Sequence, residues 1–401
     1  MPGFELFGER EREQVNEVLQ TGVLMRYGFD GMRNNVWKAR ELEEAVAKRM
    51  QTRYAQAVSS GTAALTVALQ SAGVGAGDEV IMPTFTFVAS FESILAIGAV
   101  PILVDVDDTL TLDPKCVARA ITPRTKVVMP VHMCGSMADL DALKEICDTH
   151  GLLLLEDACQ AIGGSYGGKP LGSYGDLGCF SFDYVKTITC GEGGALITDN
   201  ERFHKNADHY SDHGHDHLGS DRGADAHPFL GYNFRISELN AAVGCAQIKR
   251  LDEFLALQKR HYDIMRKAIG PIEGIAFRRV PAGGVENYSF LNFFLPSRPL
   301  AQKAQQALTE AGVDACFYWY DNNWHYYRKW AHLTHLTSLG KLPQEIVQQL
   351  PDYEKSNFSQ SDHWVGRTLS CLVKIGWTRA EVEERAQKMA QVLKRVLAAP
   401  Q

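Results

Sequence analysis

Short apolar runs alternate with amphipathic stretches through the first half of this chain, and that alternation limits the fold more than any other feature. Glu79–Pro83, Val100–Val106, Lys126–Val131, Leu152–Leu155 and Leu177–Phe182 read as short buried strands. Between them, Thr62–Ala72, Phe87–Ile97 and Asp139–His150 carry helical spacing. Strand, helix and strand at this interval favour parallel pairing through crossover helices, hence an α/β fold with helices on both sheet faces. Ligands then collect at the carboxyl ends of the strands.

Beyond Arg235 the pattern changes. Ile236 to Ile269 reads as a long, mostly helical bridge, followed by a strand candidate at Ser289–Leu295 and a helix at Leu300–Ala311. Thr378-Arg379-Ala380-Glu381 has the capping-box form and opens a closing helix with Val382, Ala386, Met389, Leu393 and Val396 on one face. The expected boundary lies near residue 265, with a large domain over 1–265 and a smaller one over 266–401.

Composition excludes several classes of function. Forty-one basic against 48 acidic residues give a net charge of −7, which is no electrostatic footprint for nucleic acid. The apolar stretch Ser93–Val104 is interrupted by Pro101 and far short of the ~20 residues that span a bilayer. The start, MPGFELFGERERE, lacks an apolar signal core. Nine scattered cysteines suggest no disulfide framework. A soluble, cytoplasmic protein is the expectation.

Four segments carry candidate chemistry. Ser59-Ser60-Gly61-Thr62 enters a helix, where free N–H groups and hydroxyls suit a phosphate as well as an ordinary N-cap. Leu152 to Leu155 delivers Glu156 and Asp157 at a strand's carboxyl end. A buried Asp needs a partner, such as a protonated pyridine nitrogen, unless it only caps the next loop. Lys186 follows a strand and precedes the Gly191–Gly194 turn; a partly desolvated amine there could form a Schiff base, and the alternative is a surface lysine. Gly231-Tyr232-Asn233-Phe234-Arg235 is again a turn into a helix, whose polar residues cap it or reach a ligand, including one in a neighbouring subunit.

Together, SSGTAAL, EDACQAIGG, SFDYVKTITCGEGG and GYNFRISELNAAVG stand in the order and spacing of the DegT/StrS-type sugar aminotransferases, which the chain resembles over nearly its whole length. The resemblance implies the pyridoxal-phosphate-dependent fold type I of the aspartate aminotransferase superfamily. That fold has a large domain with a mixed, mostly parallel sheet flanked by helices and a smaller C-terminal α+β domain. It further implies that Lys186 holds pyridoxal 5′-phosphate covalently and shuttles a proton, and that Asp157 pairs with the pyridine nitrogen. Gln160 would approach the phenolic oxygen, and Phe87 would stack on the ring. Ser60, Gly61, Thr62 and Ser181 would surround the phosphate, and Asn233 would reach the phosphate of a partner chain in a homodimer.

A related group carries histidine in place of the lysine and removes a sugar hydroxyl. Lys186 favours transamination with L-glutamate as donor, although lysine-containing dehydratases occur, and a non-catalytic cofactor-binding regulator is a rival of another class. The segments Arg26–Arg33, Ser211–His217, Phe317–Tyr320 with Asn322–His325, and Arg367–Ser370 depart from the family's usual pattern. In these the chain resembles the enzymes that aminate an 8-oxo 3-deoxy-octulosonate to 8-amino-3,8-dideoxy-manno-octulosonate for lipopolysaccharide. The alternative acceptor is a nucleotide-linked 4-keto-6-deoxy sugar. A substrate carboxylate calls for a guanidinium fork, for which Arg26, Arg33, Arg222 and Arg367 are candidates, with at least one expected to face the cofactor. His213 or His215 is expected to bond substrate hydroxyls rather than to hold a metal. Trp319 and Trp324 form either a sugar-stacking wall or core.

Overall fold

A computed structural model describes residues 2–398. Its main sheet has seven strands: Tyr54–Val58 (β1), Glu79–Pro83 (β2), Val100–Val104 (β3), Thr125–Val128 (β4), Leu153–Asp157 (β5), Leu177–Ser181 (β6) and Gly194–Thr198 (β7). They lie in the order β1-β7-β6-β5-β4-β2-β3. β2, β3, β4, β5 and β6 pair in parallel, and β7 runs antiparallel to both β1 and β6. Every residue of β2, β6 and β7 is buried, which is why these strands read as unbroken apolar runs. Two large apolar clusters occupy the two faces of the sheet.

The helical stretch after Arg235 is two helices, Glu238–Ile248 and Leu251–Ile269, broken at Lys249 and Arg250. The boundary expected near 265 therefore falls inside the second helix, and the next strand begins at Ala276. Ala276–Phe277 (β8), Phe290–Phe294 (β9), Cys316–Phe317 (β10) and Thr368–Leu372 (β11) form an antiparallel sheet in the order β8-β9-β11-β10. Cys316 and Cys371 lie opposite one another in register and are joined by a disulfide, one staple among nine cysteines. The closing helix starts on the anticipated capping box: Thr378 N–H donates to Glu381 Oε2 at 2.7 Å, and Glu381 N–H donates to Thr378 Oγ1 at 3.3 Å.

The chain between β10 and β11 does not stay with the small sheet. Tyr327 N–H bonds Thr84 O at 3.1 Å, Tyr353 O–H bonds Pro101 O at 2.7 Å, and Thr84 Oγ1 bonds Ser361 Oγ at 2.7 Å. Trp319, Tyr320, Tyr326 and Trp330 join the apolar cluster of the large sheet. This aromatic run is sticky enough to draw the segment back over the carboxyl ends of β2 and β3.

Successive residues of a strand face opposite sides, and β5 uses this to separate Glu156 from Asp157. The fully buried Glu156 accepts N–H bonds from Gly172 at 2.8 Å, Tyr174 at 2.7 Å and Gly175 at 2.8 Å, and lies 2.8 Å from His132 Nε2. It ties the loop before β6 to the strand. Glu156→Ala should cost about 3 kcal/mol by leaving buried donors unpaired, read as a lowered urea midpoint with unchanged slope.

Candidate active site

At the carboxyl ends of β5 and β6 a cavity of about 290 Å³ brings together Ser60, Gly61, Thr62, Phe87, Asp157, Gln160, Ser181 and Lys186. Asp183, Glu192, Trp324 and His325 also line it. Three of the four segments singled out in the sequence thus converge on one space.

The helix Gly61–Ser71 points its amino end at the cavity. Ser60 caps it by accepting from Ala63 N–H at 3.0 Å, which leaves the Gly61 and Thr62 N–H groups as the open donors of the first turn. A Cβ at Gly61 would lie 2.7 Å from Ser181 Cβ and 3.2 Å from Cys159 Sγ. The glycine is what lets a ligand and the Ser181 side chain share this corner. A Cβ at Gly194 would lie 2.4 Å from Ser60 O, so the glycine turn is small because two backbones touch there.

Asp157 is 4% exposed. Its Oδ2 accepts from Ser90 Oγ at 2.7 Å and its Oδ1 from Cys159 N–H at 3.2 Å. These bonds fix the carboxylate but bring no positive charge, so the partner that burial demands must come from the cavity. Gln160 Oε1 accepts from Cys134 N–H at 2.9 Å, which turns its amide NH₂ toward the cavity as a donor. Lys186 is half-buried and has no carboxylate within ion-pair distance among the described residues. Its backbone is held on both sides, by Gly3 N–H donating to Lys186 O at 2.8 Å and by Lys186 N–H donating to Asp183 O at 3.0 Å.

Phe87 lies beside Trp324 and His325, with ring centroids 5.6 and 5.4 Å away. Backbone bonds hold these segments together: Thr86 N–H to His325 O at 3.0 Å and Val88 N–H to Trp324 O at 2.8 Å. Burial, and then the nearby Lys186 charge, push the His325 imidazole down to about 3, so it is neutral at any physiological pH.

Several expected residues lie elsewhere, because the fold uses them. Arg26 is buried and ion-paired with Glu43 at 2.5 Å. Arg33, fully buried, donates to Gly28 O at 2.6 Å and faces Glu238 at 3.4 Å. Arg222 forms two bonds to Asp212, at 2.6 and 3.0 Å. Arg367 donates to Leu295 O at 2.8 Å. None of the four lines this chain's cavity, contrary to the expectation that one would face the cofactor. His213 is exposed away from the cavity, and His215 is buried against Asp225 at 3.1 Å and His227 at 3.2 Å. Trp319 is core, stacked on Phe317 at 4.8 Å and backing His325 at 4.5 Å, whereas Trp324 is 58% exposed on the cavity wall. Asn233 is exposed outside this chain's cavity, with its Oδ1 accepting from Arg235 N–H at 3.2 Å.

Open helix-start donors, a glycine-made recess, an uncompensated carboxylate, an amide donor and an unpaired lysine fit pyridoxal phosphate group for group. The fold around them is that of the pyridoxal-phosphate-dependent fold type I enzymes, and the class is aminotransferase. The chain belongs to the DegT/DnrJ/EryC1/StrS aminotransferase family, whose model matches residues 6–389. It is 39% identical over 320 residues to 3-amino-5-hydroxybenzoate synthase of Amycolatopsis mediterranei, covering 78% of this chain and 79% of that one. It is 41% identical over 226 residues to GDP-perosamine synthase of Caulobacter vibrioides, covering 55% of this chain and 58% of that one. The solved structure of NtdA from Bacillus subtilis, which holds the cofactor as pyridoxamine phosphate, superposes with a TM-score of 0.78 at 26% identity, over 98% of this chain and 84% of the other. Among the described residues no helix is long and apolar enough to cross a membrane.

Gly61→Ala should weaken cofactor binding at least tenfold while the fold persists, because the new methyl must displace Ser181. Absorbance titration of pyridoxal phosphate into the apoprotein measures it.

Proposed function

We propose that this sugar aminotransferase takes its amine from L-glutamate and passes it to an 8-oxo 3-deoxy-octulosonate, giving 8-amino-3,8-dideoxy-manno-octulosonate. The observation that carries the amine-transfer part is the shared cavity of Lys186 and Asp157, with an anion-ready helix start beside them.

When bound, pyridoxal phosphate supplies the electron sink for amine transfer. Lys186 would hold it and, through Nζ, would move a proton to and from the substrate carbon that bears the amine. Asp157, fixed by Ser90, would keep the pyridine nitrogen protonated through its charge. Gly61, Thr62 and Ser181 would receive the phosphate, Gln160 would donate to the phenolic oxygen, and Phe87 would pack against the ring. Trp324 offers an apolar plane to a sugar. With the reacting aldehyde at C8, the acceptor's carboxylate sits at the far end of the molecule, which agrees with a cavity wall lacking any guanidinium on this chain.

The assembly that suits these roles is a homodimer in which Asn233 serves the partner's phosphate site. Tyr184, Val185, Leu230 and Tyr232 support it, being large apolar side chains left more than half exposed beside the Lys186 and Asn233 segments. A nucleotide-linked keto-sugar is the second reading, favoured by the identity to GDP-perosamine synthase.

Side-by-side product mass spectrometry with the octulosonate aldehyde and a nucleotide-linked 4-keto sugar separates the two acceptors, and amination of the nucleotide sugar alone would overturn the first reading. Asp157→Asn should lower kcat by about a thousandfold, roughly 4 kcal/mol, with cofactor still attached. Lys186→Ala and Asn233→Ala, each inactive alone, should on mixing and subunit exchange recover about a quarter of wild-type activity, since half the dimers then hold one intact site.

A further inference from the structure

We infer that His325 is a specificity-determining residue for the keto-sugar: a neutral imidazole whose Nε2 accepts a hydrogen bond from the hydroxyl next to the reacting carbonyl. This rests on the octulosonate reading above and adds to it the group that recognises the sugar at its reactive end.

The argument begins with Asn322. Its Oδ1 lies 2.9 Å from Trp324 N–H, a backbone donor that can only be answered by an acceptor. That bond fixes which end of the Asn322 amide is oxygen. The same Oδ1 lies 2.9 Å from His325 Nδ1. An oxygen cannot donate, so Nδ1 carries the proton, and in a neutral ring Nε2 then carries the lone pair. Nε2 has no protein hydrogen bond among the described residues, nor is it among the enclosed polar atoms without partners. It therefore opens to the cavity that His325 lines.

The ring is held in place from three sides. Trp319 packs 4.5 Å behind it, Phe87 lies 5.4 Å to its side, and Thr86 N–H grips its carbonyl at 3.0 Å. Rotating the ring to offer an N–H would break the Asn322 bond in a buried setting. Lys186 is the one charged group that acts on it among the described residues, and a cation nearby further disfavours protonation. A lone pair opening into the cavity that Lys186 also lines reads a hydroxyl on the carbon beside the carbonyl, and it rejects an acceptor that lacks one by leaving the nitrogen dry and unpaired.

The test is a cycle between protein and substrate. Wild-type and His325→Phe are each assayed with glutamate against the 8-oxo octulosonate and its 7-deoxy analogue. Wild-type should show a kcat/KM at least tenfold lower for the 7-deoxy compound, and His325→Phe should treat the two alike while binding pyridoxal phosphate as tightly as wild-type by absorbance titration. Equal discrimination by both proteins overturns the assignment alone. Wild-type protein inert toward the octulosonate aldehyde overturns the octulosonate reading and the assignment with it. His325→Leu provides a second apolar variant, and decides the matter if His325→Phe does not fold. It should likewise treat the octulosonate and its 7-deoxy analogue alike, and discrimination equal to that of wild-type overturns the inference.

Discussion

Two neighbouring carboxylates on one strand govern this molecule. β5 places Glu156 and Asp157 on opposite faces, and the burial of both would be ruinous without answers for each charge. Glu156 is answered inside the fold by three backbone N–H groups and His132. Those bonds fasten the loop before β6, the strand that leads to Ser181 and Lys186. Among the described residues Asp157 is answered only by neutral donors, Ser90 and Cys159 N–H. The same strand therefore uses one carboxylate within the fold and leaves the other on the cavity without a cationic partner among the described residues, which fits the protonated pyridine nitrogen of pyridoxal phosphate.

The sequence made this much legible because the signals are local. A helix start, a strand end and a glycine turn each announce themselves within a few residues, and parallel β strands bring such ends to one edge whatever the details of packing. Hence Ser60, Gly61, Thr62, Asp157 and Lys186 could be named from local signals, Gln160 and Ser181 were added by the family resemblance, and the cavity gathers all of them. The arginines were illegible for the opposite reason. Whether Arg26, Arg33 or Arg222 is free depends on Glu43, Glu238 and Asp212, partners fixed only by tertiary pairing or loop closure. A guanidinium in a sequence is a fork without an address.

The aromatic block shows the same limit from another side. Its composition marks it as core or as wall, and the structure makes it both: Trp319 inside, Trp324 outside, His325 between. What separates these roles is the pairing of Thr86 and Val88 with the carbonyls of His325 and Trp324. Strand Phe290–Phe294 and the closing helix could be read from periodicity, but no periodicity foretells that the chain between β10 and β11 leaves the small sheet for the large one.

The return of that segment changes what kind of recognition this chain can offer. Its four candidate guanidinium groups are occupied by the fold, and the part of the cavity that this segment supplies, Trp324 and His325, is aromatic and neutral. What the segment adds instead is the His325 imidazole, with Nδ1 against Asn322 Oδ1 and the ring on the cavity wall. The segment thus contributes aromatic and hydrogen-bonding groups to the cavity and no guanidinium, while the exposed Leu230 and Tyr232 flank Asn233 outside it.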